Sequence, residues 1–202
     1  MRLLLDTDAF CKLAVGGVLE EAVHLLGLEL TDCGRLPALP HMLRRGRLRR
    51  LFGDDTCDGL IPVAEAIPAI VQPGTTWLER LAPLHEIDVG EAQLIATAAE
   101  YGLVLMSGDK RALRTLKDVN SLPAALAGRV VALEAALFAL CERLGPDEVR
   151  RRVQPLMGHD QMVAVCFSSE SDPRDGLGSY FESLAAEVAP LALWNPRSRG
   201  GE

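Results

Sequence analysis

Residues 87–110 read IDVGEAQLIATAAEYGLVLMSGDK and alternate between strand and helix signals. Residues 86–89 favour a short strand or strand end, and Gly90 to Glu100 have the alanine-rich apolar spacing of a helix. Gly102 is the residue type that ends helices, and the apolar run Leu103 to Met106 follows it as a strand. A helix of about ten residues between apolar runs is typical of a βαβ unit. The stretch therefore predicts a parallel sheet.

The same alternation extends on both sides of this stretch. Leu3 to Leu5 form an apolar run that stops at a polar residue, which is typical of a buried strand. Further strands are expected over residues 28–31 and 129–133. These signals predict an α/β fold of three layers, α/β/α, around a central parallel sheet. Helices are expected within 10–26 in two pieces and over 42–52, 64–71, 77–84, 110–127 and 135–144, with a loop over 53–62 and a turn at Gln72-Pro73-Gly74.

The chain is expected to divide near residue 144. Residues 1–144 carry the alternating pattern, whereas residues 145–202 favour a mainly helical extension that forms an accessory unit. In the extension, helices are expected over residues 146–157 and 180–193, with a polar loop over 168–178. At 202 residues, the chain has room for one full domain and such an extension.

Composition indicates a globular protein, with 49% hydrophobic and 24% charged residues. The amino terminus MRLLLDTDAF has only a short leucine run before its first acid, too short for a signal-peptide core or a membrane span. We therefore expect a cytoplasmic protein with no membrane partner. The net charge of −7 repels nucleic acid on average. Any RNA contact is expected at a local cluster of five arginines, Arg44, Arg45, Arg47, Arg49 and Arg50.

Three acidic residues are expected to meet at one edge of the sheet. Asp6 directly follows the first strand, and Asp109 follows the strand over residues 103–106 after a two-residue turn. Glu91 opens the helix that precedes that strand. Ligands of parallel sheets lie beyond the carboxyl ends of the strands. Clustered carboxylates need a compensating charge, which Mg²⁺ or Mn²⁺ supplies through oxygen ligands, and such metal sites hydrolyse phosphodiesters.

The motifs LLLDTDAF at 3–10, IDVGEAQLIATA at 87–98 and LVLMSGDKRAL at 103–113 carry a resemblance to a known family. In this order they resemble the PIN-domain nucleases, over roughly residues 1–144. The resemblance implies a metal-dependent ribonuclease in which Asp6, Glu91 and Asp109 bind Mg²⁺ or Mn²⁺ and RNA is the substrate. It further implies that three more side chains lie close to the metal, namely Asp8, Ser107 and Lys110.

The chain departs from the family pattern at one position. Many PIN domains carry a further acid on the helix after the second strand, whereas LPHMLRR at 39–45 offers His41 and no carboxylate. Asp118 is a candidate substitute. The resemblance also includes bacterial toxins, so an antitoxin-type protein partner and a homodimer stay open. The extension after residue 144 is not part of the usual toxin pattern.

Other interpretations of the same residues stay open. Asp88 and Glu91 fit a capping box, and Asp6 and Asp109 could each cap the helix that follows. A catalytically silent PIN-like scaffold that binds RNA or protein is a second reading. LLLDTDAF is also similar to the first motif of haloacid dehalogenase-like phosphohydrolases, in which Asp6 would attack phosphorus and Asp8 would act as acid and base.

Overall fold

The computed structural model describes residues 1–71, 75–168 and 171–199, so the Gln72-Pro73-Gly74 turn lies outside the described residues. Four short strands form one sheet in the order β2-β1-β3-β4, and every neighbouring pair is parallel. The expected α/β class with a parallel sheet is confirmed. The strands are β1 (Leu3–Leu5), β2 (Cys33–Gly34), β3 (Val104–Ser107) and β4 (Val130–Ala132).

Both faces of the sheet are buried. Leu3 and Leu5 of β1 belong to one hydrophobic cluster, and Leu4 belongs to a second. Successive side chains of a strand point to opposite faces, so an uninterrupted leucine run is what a strand covered on both sides requires. Helices on the two faces give an arrangement consistent with three layers.

Helices connect the strands. They are α1 (Thr7–Val15), α2 (Leu19–His24), α3 (Leu39–Arg44), α4 (Arg47–Phe52), α5 (Asp54–Ala66), α6 (Thr75–Leu81), α7 (Val89–Tyr101), α8 (Lys110–Leu116), α9 (Leu122–Ala125), α10 (Leu133–Leu144), α11 (Pro146–Val153), α12 (Gln161–Phe167) and α13 (Pro173–Val188). Among the described residues, no helix has the length and apolar character needed to cross a membrane.

The prediction of a loop over residues 53–62 is wrong, because helix α5 covers these residues from Asp54 onward. Gly53, with φ of 87°, lets the chain turn into the helix. Asp54 and Asp55 then lie in the first turn, where negative charge interacts favourably with the helix dipole. Cys57 and Leu60 are buried on the inner side of this helix. The acids that suggested a loop are therefore helix-start signals.

Several other boundaries are also wrong. No strand forms over residues 86–89, where the chain makes a turn into α7. The second strand lies not at 28–31 but at Cys33–Gly34, because a 3₁₀ turn with its own capping box occupies Leu30–Asp32. The arginine-rich helix breaks into α3 and α4 near Gly46, whose φ is 102°. The polar loop expected over 168–178 gives way to α13 from Pro173 onward.

Residues after 144 share the buried clusters of the rest of the chain. Phe167 of α12 and Leu177 of α13 lie in the same cluster as Leu3, while Leu184 and Val188 lie in the cluster of Leu4. Both clusters therefore extend into the carboxyl-terminal helices. A shared core does not decide whether residues 1–144 fold alone, so the division stays a prediction.

A substitution in α12 tests that division. Phe167 is 1% exposed, and its replacement by Ala is expected to lower the free energy of unfolding by about 3–5 kcal/mol. If the two parts fold as one unit, thermal unfolding stays a single transition at a lower temperature. Val165→Ala, at an exposed position of the same helix, is the matched control. If thermal unfolding instead shows two transitions, and Phe167→Ala leaves the temperature of the upper one unchanged, residues 145–202 form an accessory unit.

Candidate active site

Asp6 stands at the end of β1 with its carboxyl group turned into the protein. Its backbone amide donates to Met106 O of β3 at 3.0 Å, which keeps the sheet ladder intact up to this residue. Asp6 occupies the N-cap position of α1 but makes no capping hydrogen bond with its side chain. The residue is 6% exposed. Capping therefore does not explain why an acid is buried here.

Ser107 joins Asp6 to the next strand end. Ser107 Oγ donates to Asp6 Oδ2 at 3.3 Å and accepts from the Asp109 backbone amide at 3.2 Å. Asp109 in turn caps α8, since its Oδ1 accepts from the Ala112 amide at 2.9 Å. The predicted capping role of Asp109 is thus confirmed. One carboxylate oxygen of Asp109 remains outside this cap.

Glu91 also has a capping role and still reaches the other acids. Its Oε2 accepts from the Asp88 amide at 2.7 Å, and its own amide donates to Asp88 Oδ1 at 2.8 Å, which completes the predicted capping box. The Glu91 carboxyl group also shares a side-chain hydrogen bond with Asp109. The Glu91 and Asp109 side chains therefore cap helices and also interact with each other.

The three acids differ in how strongly they hold protons. Burial, followed by the charge of Asp8, raises the pKa of Asp6 to about 7, against hydrogen bonds from Thr7 and Ser107. Burial is likewise the largest cause that raises the pKa of Glu91 to about 8, with Asp109 adding to it. Burial also acts on Asp109, but hydrogen bonds from Ala112 and Glu91 outweigh it and lower its pKa. Burial thus favours the protonated form of Glu91 and leaves Asp109 the more acidic of the two.

A small cavity connects Asp6 with Glu91. Both side chains and Ser107 line it, and its remaining lining is apolar and includes Leu94 and Leu105. Its volume of about 10 Å³ is close to that of one water-sized particle. An apolar floor under two acids explains why burial dominates their pKa values.

The donor set fits a hard divalent cation in its chemistry. Asp6, Glu91 and Asp109 offer only oxygen ligands, and neither Asp6 nor Glu91 forms an ion pair among the described residues. Across residues 1–71, 75–168 and 171–199, no three His, Cys, Asp or Glu side chains are already arranged to hold a metal. The hydrogen bond between Glu91 and Asp109 occupies oxygens that a cation would need.

Two of the expected supporting residues are engaged in ion pairs. Asp8 Oδ2 lies 2.7 Å from Lys12 Nζ, and the same ammonium lies 2.6 Å from Asp160 Oδ2 of the carboxyl-terminal part. Lys110 Nζ lies 2.5 Å from Glu134 Oε1. The charge of Asp8 acts on Asp6, whereas the role of Lys110 near a metal stays a prediction.

Asp118 and His41 lie away from the acidic site. Asp109 begins α8, whereas Asp118 follows its last residue, about 10 Å further along the helix. His41 is exposed on α3, and neither residue lines the cavity of Asp6 and Glu91. The structure does not bring a fourth acid to this site from either position.

The arginine cluster divides into two groups. Arg44 pairs with Glu65, and Arg49 lies 2.6 Å from both Asp54 and Asp58 of α5. The other three arginines are exposed and form no ion pair among the described residues. They are Arg45, Arg47 and Arg50.

Sequence reasoning missed Glu134 and Asp160. Glu134 follows β4 at a distance of two residues, much as Asp6 follows β1, so the same strand-end rule could have found it. Asp160 lies at the start of α12, far along the chain, and no sequence signal links it to Lys12. It is an N-cap whose Oδ1 accepts from the Val163 amide at 2.9 Å.

Comparison with protein-family models, with curated proteins and with solved structures gives no match. The resemblance to PIN domains therefore stays a prediction carried by the three motifs. The arguments that follow rest on the geometry and charges of the described residues.

The buried acid predicts a pH-dependent stability. Below pH 3.8 Asp6 is protonated in both the folded and the unfolded chain. Between that value and about 7 the unfolded chain ionises while the folded chain keeps the proton, so stability falls as pH rises. Without divalent cations, Asp6→Asn should therefore stabilise the protein more at about pH 8 than at about pH 5, by up to about 3 kcal/mol.

Thermal unfolding in EDTA at the two pH values measures this difference. Asp118→Asn, which removes an exposed acid away from the site, should show no pH-dependent change relative to wild type. If Asp6→Asn is no more stable than wild type at the higher pH, the Asp6 carboxyl group does not destabilise the fold when it ionises, and the assignment is contradicted.

Proposed function

We propose that this protein is a divalent-cation-dependent phosphodiester hydrolase of the PIN type that acts on RNA. The observation that carries the proposal is the meeting of Asp6, Glu91 and Asp109 at the carboxyl ends of parallel strands. Burial raises the pKa of both Asp6 and Glu91, and neither forms an ion pair among the described residues. Buried acids of this kind are uncommon outside functional sites.

A cation would replace the protons of the acidic site. Asp6, Glu91 and Asp109 would hold Mg²⁺ or Mn²⁺, which activates water and stabilises charge on the leaving oxygen of a phosphodiester. Ser107 keeps Asp6 and the start of α8 together through its two hydrogen bonds. Release of the Glu91 proton frees the oxygens that now join Glu91 to Asp109. The site therefore supports cation binding coupled to deprotonation.

A silent scaffold is the second candidate, and one observation favours it. Among the described residues no acidic or histidine group is arranged in advance for a metal, and the position of the family's further acid carries His41. A scaffold would use the exposed arginines without chemistry at Asp6. Metal binding separates the two candidates, because only the hydrolase needs it.

Mn²⁺ affinity should rise with pH. The protons on Asp6 and Glu91, whose pKa values are about 7 and about 8, must leave before both can act as ligands. Calorimetric titration should therefore show tighter binding and fewer released protons per Mn²⁺ as the pH increases from about 6 to about 9. Asp6→Asn should weaken binding by at least about tenfold, while Asp118→Asn binds as wild type does.

An affinity that is independent of pH, or one that Asp6→Asn leaves unchanged, would place the cation elsewhere. Absence of binding at about pH 9 would favour the scaffold over the hydrolase, because both acids are then ionised.

RNA is expected to bind through the three unpaired arginines. Each phosphate contact releases counterions, so three contacts with single-stranded RNA predict a slope of about −2 for log affinity against log salt. Replacing Arg45, Arg47 and Arg50 with Gln should weaken binding and flatten this slope. Arg150, Arg151 and Arg152 of α11 are paired with acids, and their replacement with Gln is the control for loss of net charge. Equal effects of the two triple substitutions would assign RNA binding to overall charge instead of the cluster.

A further inference from the structure

A pocket of about 290 Å³ lies apart from the small cavity of Asp6 and Glu91. Gly108 of the turn after β3 and Leu133, the first residue of α10 after β4, line it. Asp160, Met162 and Tyr180 of the carboxyl-terminal part also line it. The pocket thus lies beyond the carboxyl ends of two parallel strands, the usual place of ligands in such sheets. Its volume is at the lower end for small-molecule sites, which begin near 300 Å³.

Two charged residues, Lys110 and Glu134, line the pocket. Glu134 is buried, with 2% of its side chain exposed, and its Oε1 lies 2.5 Å from Lys110 Nζ. The angles of this contact are not those of a hydrogen bond, and Oε1 has no hydrogen-bond partner among the described residues. Lys110, by contrast, remains 28% exposed. A buried ion pair with an incompletely bonded oxygen costs stability, which makes ligand binding a better explanation for it than structural support.

The pocket also has apolar and aromatic lining residues. Leu133 and Met162 are buried, and Lys110 Nζ lies over the half-buried Tyr180 ring, 4.8 Å from its centroid. A lining that combines apolar, aromatic and charged side chains suits a ligand that has a flat apolar face and a polar edge.

The local charges disfavour an anion in this pocket. Lys110 and Lys12 face three acids, namely Glu134, Asp160 and Asp8, so that the five groups carry a net charge of −1. A phosphate group would therefore gain little electrostatic stabilisation in this pocket. A neutral group with both hydrogen-bond donors and acceptors on its edge has complementary partners in Lys110 and in the exposed Gln161 amide.

We propose that this pocket binds the base of the nucleotide next to the scissile phosphate. Unstacked RNA bases are neutral, stack on aromatic side chains and form hydrogen bonds through their edges. Gly108 links the pocket to the acidic site, since it lies between Ser107 and Asp109. The assignment rests on the proposed function for its identification of RNA, and it makes the carboxyl-terminal helices part of the substrate site.

The test titrates full-length protein with each of the four ribonucleosides in EDTA and follows backbone amide chemical shifts. Binding should shift the amides of Gly108, Gln161 and Met162 at millimolar nucleoside. Tyr180→Leu removes the aromatic face but keeps apolar volume, and it should weaken binding by about tenfold. Lys110→Met should weaken binding to a similar extent. Tyr101→Leu and Lys117→Met, at exposed positions outside the pocket, are the matched controls and should bind as wild type does.

The nucleosides contain no phosphate and the solution contains no metal, so the result does not depend on hydrolysis or cation binding. Nucleoside binding without Mn²⁺ binding would overturn the hydrolase and the position next to a scissile phosphate, and would leave the pocket as a nucleobase site. If no nucleoside changes the chemical shifts of the Gly108, Gln161 and Met162 amides in the wild-type protein, the pocket assignment alone is overturned. Shifts that persist unchanged in both Tyr180→Leu and Lys110→Met overturn it as well.

Discussion

The parallel pairing of β1 with β3 places Leu5 beside Met106, and the candidate site depends on this register. Because β1 ends one residue before β3, Asp6 lies beside Ser107, the last residue of β3, and the two side chains form a hydrogen bond. Ser107 then binds the amide of Asp109, which starts α8. A shift of one residue would exchange the faces of every side chain in the strand and separate these groups. The acidic site is thus a direct result of strand register.

This register buries carboxyl groups at a position where their ionised form is destabilised. The floor below Asp6 and Glu91 is apolar, and the pKa of each is raised, with burial as the largest cause. A proton on Glu91 would offset the repulsion between this residue and Asp109. A divalent cation would offset it at higher pH. The same physical constraint therefore connects stability, protonation and the proposed chemistry.

Local signals in the sequence predicted much of this arrangement. The leucine run of β1, the capping box of Asp88 and Glu91, and the left-handed Gly102 at the end of α7 depend on nearby residues only. The helix at 54–66 was missed because its first-turn acids also suit a loop. The contact of Asp160 with Lys12 and the burial of Glu134 arise from long-range packing, which apolar spacing does not encode.

The central claim is that the acidic site exists to hold a divalent cation. The most direct measurement is a crystal of the full chain soaked in Mn²⁺ at about pH 8.5, with anomalous scattering recorded at the manganese edge. The account predicts an anomalous peak within ligand distance of Asp6, Glu91 and Asp109, with Glu91 and Asp109 no longer hydrogen-bonded to each other. Absence of a peak there, with that hydrogen bond retained, would contradict it.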